Sequence, residues 1–152
     1  MPGSEHRPLR LVLDTNVVIA GLLWHGPPRR LIELAIEGQA VELFSSSSLI
    51  NELTRALGYT KFTARTQALG TTTAGLVALY AGLVTLVTPH SVPRVVANDA
   101  DDDHVIAAAV AAYAELIVTG DRRHLLPIGN HRGIAIITVH EVFDKLIAEG
   151  KA

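Results

Sequence analysis

Short uninterrupted apolar runs alternate with amphipathic ones along this chain. Leu9 to Leu13 is an aliphatic run that ends on Asp14, the pattern of a strand buried on both faces. Val17 to Leu23 reads as a helix, and Gly26-Pro27-Pro28 breaks it. Arg29 to Glu37 reads as a second helix, with Leu31, Leu34 and Ala35 on one side. Val41 to Phe44 repeats the strand pattern. The serines Ser45 to Ser48 supply helix-capping side chains, and Leu49, Ile50, Leu53 and Leu57 follow at helical spacing. A helical region is predicted over Thr63 to Gly82, and a third strand over Val84 to Val87. Asn98 to Asp103 reads as an acidic loop and Val105 to Ala114 as an Ala-rich helix. Leu116 to Val118 is a strand that stops at Thr119-Gly120-Asp121. Ile134 to Ile137 is the last strand and Val139 to Ala148 the last helix.

Strands and helices thus alternate, and the strands are short, apolar and rich in β-branched residues. That pattern belongs to the α/β class, a parallel sheet covered by helices on both faces. The length of 152 residues suits one domain. Residues 1–8 are expected to form an N-terminal tail, and residues 9–150 the domain. Hydrophobic residues make up 49% of the chain and charged ones 18%, which excludes a disordered chain. Aromatics are only 5%, so the core must be aliphatic.

From Thr66 to Pro93 no acidic or basic residue occurs. Its apolar centre, Ala74 to Val84, is interrupted at both ends by threonines and falls short of the roughly 20 residues a spanning helix needs. A buried helix leading into a strand is expected there, not a membrane segment. Met1 to Arg10 is polar and lacks the pattern of a signal peptide, so a cytoplasmic location is expected. The 13 basic residues against 15 acidic ones leave a net charge of −2, which excludes a global basic field but not a local basic patch. The absence of cysteine excludes thiol catalysis, disulfides and cysteine-based metal sites.

Several acids fall at one kind of place. Asp14 ends the first strand and Asp121 follows a later one, Asp103 starts a helix, and Glu52 lies about two turns into the helix after the second strand. Ligands of open α/β sheets bind outside the carboxyl ends of the strands, near the point where strand order reverses. Four acids from four distant segments would converge there. Converging carboxylates repel one another, and a divalent cation removes the repulsion. Oxygen ligands favour Mg²⁺ or Mn²⁺, and the chemistry such a centre serves is phosphodiester hydrolysis.

Taken singly, each acid has a plainer reading. Asp14 would cap the following helix. Asp103, with Asp101 and Asp102, would face the positive end of a helix. Asp121 would be a turn residue, and Glu52 a solvated flank of an apolar stripe. Other motifs fail. Asp99 to Asp103 lacks the glycine and glutamate of a calcium loop, and there is no Walker motif, Gly-x-Gly-x-x-Gly or nucleophile elbow. The seven histidines show no metal-binding spacing. Arg122, Arg123, His124, His131 and Arg132 cluster just after Asp121, with smaller groups at Arg29-Arg30 and at Lys61 with Arg65; such side chains serve phosphate contacts or a solvated face.

Val12-Leu13-Asp14-Thr15-Asn16-Val17-Val18 resembles the opening of PIN-domain nucleases. Leu49-Ile50-Asn51-Glu52-Leu53 is similar to the second acidic motif of that family, the run from Asp99 to Ala109 to the third, and Ile117-Val118-Thr119-Gly120-Asp121 to the fourth. The resemblance spans about Leu9 to Ile147 and is nearest to VapC-like toxins of bacterial toxin–antitoxin modules. It implies a three-layer α/β/α sandwich and Mg²⁺-dependent cleavage of RNA, with Mn²⁺ as a substitute. By motif, Asp14, Glu52, Asp103 and Asp121 would be the catalytic, metal-binding acids. Thr15, Asn16 and Thr119 would be supporting polar groups, and Asp99 and Asp101 additional acids. Ala100 stands where many relatives carry proline. The resemblance also implies homodimers or higher oligomers and a cognate antitoxin protein. Two other functions are weighed beside the nuclease: an inactive PIN module that binds RNA or protein, and an aspartyl-phosphate domain using Asp14. The second wants another Asp two places on, where Asn16 stands.

Overall fold

The computed structural model describes residues 7–92 and 100–151, with Ala100 and Asp101 placed by backbone alone. Among these residues, six strands form one sheet. β1 (Leu9–Leu13) lies inside it, between β2 (Val41–Ser45) and β4 (Leu116–Val118). β3 (Thr85–Leu86) flanks β2, β6 (Ile134–Ile137) flanks β4, and β5 (Asn130–His131) forms the far edge. The order is β3-β2-β1-β4-β6-β5, parallel throughout except for the β5–β6 pair.

The described helices are α1 (Thr15–Leu23), α2 (Pro27–Glu37), α3 (Ser47–Leu57), α4 (Thr63–Ala68), α5 (Thr73–Leu83), α6 (Ala100–Ala111) and α7 (Val139–Ala148). Side chains alternate across the strands and so feed two cores. Leu11, Leu13, Leu43, Leu116 and Val118 pack with residues of α1, α2, α3, α5 and α7. Val12, Phe44 and Ile117 pack on the other face with Val105, Ile106 and Ala109 of α6. The result is the expected three-layer α/β/α sandwich. Both cores are almost wholly aliphatic, as the composition requires.

Local chemistry accounts for the helix ends. Ser46 accepts from Leu49 N at the start of α3, and Thr138 and Glu141 form a reciprocal capping box on α7. Gly26-Pro27-Pro28 not only stops α1 but starts α2, because the prolines occupy its first positions, where no amide hydrogen is needed. At Gly21, α1 and α2 press together: an added Cβ would stand 2.6 Å from Ile32 Cδ1 and 2.9 Å from the Pro28 carbonyl oxygen.

Three expectations change. The helix expected over Thr63 to Gly82 is two helices, because Gly70 turns left-handed (φ 71°) and Thr72 caps α5 through Gly75 N. The acidic segment is helical from Ala100 onward, which puts Asp102 and Asp103 in the first turn of α6, where the helix dipole favours acids. This helix ends before Ala114, at Tyr113 with φ 52°. The β5–β6 hairpin was not foreseen. Its two-residue turn, Arg132-Gly133, has positive φ at both positions, the geometry that suits strand twist. No helix among the described residues is long and apolar enough to cross a membrane.

Tyr80 of α5 is fully buried, and its hydroxyl has no hydrogen-bond partner among the described residues. Burial pushes the phenol's pKa upward. An unsatisfied buried hydroxyl carries a desolvation cost of about 1–3 kcal/mol. Tyr80→Phe is therefore expected to raise stability by up to about 1 kcal/mol. A urea titration checks this, the midpoint moving to higher denaturant with an unchanged slope; a drop in the midpoint would contradict it.

Candidate metal centre

The sheet order reverses direction between β1 and β4, since β2 and β3 lie on one side of that pair and β6 and β5 on the other. Two parallel neighbours thus deliver Asp14 and the Thr119–Asp121 segment to the same sheet edge, where such folds bind ligands. Asp14 both caps α1 and faces the cleft. Its Oδ1 accepts from Thr15 N at 2.8 Å and its Oδ2 from Thr119 Oγ1 at 2.7 Å. Thr119 is fully buried, and its hydroxyl also accepts from Asp121 N at 3.0 Å.

Asp121 accepts three backbone amides: Arg123 N at 2.9 Å, His124 N at 3.2 Å and Leu125 N at 3.3 Å. Burial alone would raise its pKa. The three amides and the nearby His124 outweigh that and hold the carboxyl below its usual range. Glu52 comes from α3, and its Oε2 accepts from Thr15 Oγ1 at 2.7 Å. Asp102 comes from α6 and is buried. His124 Nδ1 stands 3.7 Å from Asp102 Oδ2 and 3.6 Å from Asp121 Oδ2. One ligand atom from each of Asp102, Asp121 and His124 lies within 4.8 Å of the others, close enough to share one cation. Asp14, Glu52, Asp102 and Asp121 all line a single cleft of about 570 Å³.

Residues 10–123 match the PIN domain family. The chain belongs to the PIN domain family. Its fold is similar to that of a chain in the crystal structure of VapBC2 from Rickettsia felis bound to a DNA fragment from their promoter. The TM-score is 0.60 at 12% identity, over 86% of this chain and 98% of that one. No curated protein matches the sequence.

Among the described side chains of this PIN domain, the α6 acid that lines the cleft is Asp102. Asp103, the residue expected from the sequence, is fully buried and is not among the lining residues. Neighbouring helix positions differ by about 100°, so one step along α6 decides which carboxylate faces the cleft. Thr15 and Asn16 line the cleft, and Thr119 reaches it through Asp14. Asp99 lies outside the described residues, as does the side chain of Asp101.

The basic cluster divides. Arg123 and His124 line the cleft. Arg122 lines a neighbouring hollow of about 380 Å³ with Asn16 and His140. Arg132 sits in the β5–β6 turn, at the amino end of the parallel strands and so at the opposite sheet edge from Asp14. Arg29 and Arg65 serve structure: Arg29 donates to the carbonyls of Gly21 and Leu22, and Arg65 to that of Leu23, closing the carboxyl end of α1. Sequence reasoning passed over Trp24, Arg55, Tyr59 and Phe62, which also line the cleft. Arg55 alone carried a signal, its place one turn after Glu52.

Proposed function

We propose that this PIN domain is an endoribonuclease that hydrolyses RNA phosphodiester bonds with Mg²⁺, or Mn²⁺ in its place. The observation that carries the reading is four carboxylates from β1, α3, α6 and the β4 edge lining one cleft. A largely oxygen donor set suits Mg²⁺ or Mn²⁺. Asp102, Asp121 and His124 would hold the ion, with Asp14 and Glu52 beside them. When bound, such an ion lowers the pKa of a coordinated water and neutralises phosphate charge.

The chain's own groups set up that chemistry. Thr119 fixes Asp14, and the three amides at Asp121 favour its ionised form. Thr15 holds the Glu52 carboxylate in place to accept a proton from an attacking water. Arg55, Lys61 and Arg123 line the same cleft and supply phosphate contacts. The chain's role is that of a toxin in a toxin–antitoxin module, acting in the cytoplasm as a homodimer or higher oligomer and held in check by a cognate antitoxin protein. The likeness of fold to the VapBC2 chain supports that role. Residues 9–150 form the nuclease domain.

The test is incubation of the purified protein with an unstructured RNA in Mn²⁺, Mg²⁺ or EDTA. Internal cleavage in either metal and none in EDTA is expected. RNA bound but intact in both metals would instead make the chain a binding module.

A further inference from the structure

The carboxylates occupy one end of the cleft, and its other end is aromatic. Trp24 and Tyr59 line it with 44% and 50% of their surface exposed. Phe62 packs edge-on to Trp24, with centroids 6.1 Å apart and ring planes at 64°. Lys61 Nζ stands 5.1 Å from the Phe62 ring centre. Three of the seven aromatic residues in the chain gather here, whereas Phe44 and Tyr80 are buried in the cores. Helix α1 joins the two ends. It starts beside Asp14 and stops just before Trp24, about 14 Å away along its axis. Its last carbonyls are fastened by Arg29 and Arg65, so the indole stands on a fixed backbone.

We propose that Trp24 and Tyr59 form a base-stacking subsite that holds an unpaired nucleobase of an RNA strand whose phosphate lies at the carboxylates. The inference rests on the nuclease reading above. Every base has a π-face, and aromatic side chains bind bases largely regardless of sequence. The bases of a duplex are stacked on each other and cannot reach such a platform. Arg55, Lys61 and Arg123 lie among the rings and acids of this cleft and match a polyanionic strand better than an apolar peptide.

Trp24 is the only tryptophan in the chain, so its emission reports on the subsite directly. The experiment titrates the protein with oligoadenylate in EDTA at low salt, where metal-dependent cleavage plays no part. Indole emission is expected to be quenched by the single strand and left unchanged by the same oligomer annealed to its complement. Tyr59→Ala and Trp24→Ala are each expected to weaken binding of a labelled oligomer about tenfold, and Trp24→Phe to restore most of it. Circular dichroism checks each fold; if Trp24→Ala does not fold, Tyr59→Ala and an abasic oligomer make the same test. Unchanged emission, equal quenching by duplex or by heparin, or unaltered affinity in Tyr59→Ala overturns the subsite. Quenching without metal-dependent cleavage defeats the nuclease reading and leaves the subsite standing. Cleavage with an unaltered KM in both alanine variants does the reverse.

Discussion

Asp14→Asn is expected to lower kcat/KM for RNA cleavage by roughly 10³-fold or more, the equivalent of losing about 4 kcal/mol of transition-state stabilisation. Asp14 sits where α1 and β4 meet, with both its oxygens fixed by Thr15 N and Thr119 Oγ1. Asparagine removes the charge but keeps the shape. Its amide oxygen still caps α1, because asparagine and aspartate cap about equally well. The amide nitrogen would face the Thr119 hydroxyl, which can accept as well as donate. The cost in stability should therefore stay near 1 kcal/mol or below, partly offset by the relief of repulsion among the remaining acids. Single-turnover kinetics on a labelled RNA, paired with a melting curve, check both halves. Cleavage at the wild-type rate in the purified variant would refute the assignment of Asp14. Lost cleavage together with lost folding would mean that the capping role dominates.

Mn²⁺ is expected to raise the melting temperature by about 5–10 °C at a concentration near 100 times its dissociation constant. Binding to the folded state alone contributes about 2.7 kcal/mol under that condition, and a domain of this size gains roughly 2–4 °C per kcal/mol. The gain has a specific origin here. Asp102 and Asp121 stand 3.7 Å and 3.6 Å from His124, while Asp14 and Glu52 add negative charge to the same cleft. The shift should vanish in Asp14→Asn and in Asp121→Asn, and persist in Arg132→Ala, which alters the opposite sheet edge. Calorimetric melts with Mn²⁺ and with EDTA make the comparison. An equal shift in all four proteins would place the ion elsewhere.

The parts of the fold that could be read in advance are those where burial alone decides. Leu9–Leu13, Leu116–Val118, Ile134–Ile137 and Val139–Ala148 have the bounds their patterns suggest, because a strand buried on both faces or an amphipathic helix leaves a strong periodic trace. The parts that could not be read depend on single backbone angles. The break between α4 and α5 hangs on Gly70, the early end of α6 on Tyr113, and the β5–β6 hairpin on Arg132 and Gly133, of which Arg132 is not a residue that announces a left-handed turn. The site shows the same division. Asp14 and Asp121 follow well-marked strands, Glu52 lies within a well-marked helix, and the three line one cleft. The acid from α6 could not be chosen from three consecutive aspartates without the helix phase, and that phase depends on a start at Ala100. Trp24 left no trace of its place beside Tyr59 and Phe62, since it ends α1 while they share a turn after α3, and only the fold joins the two.

A crystal grown with Mn²⁺ and measured at the manganese absorption edge tests the central claim most directly. An anomalous peak against the carboxylates of Asp102 and Asp121, in the cleft that Asp14 and His124 also line, is the predicted result. A cleft without a peak at saturating Mn²⁺, or a peak outside this cleft, would contradict it.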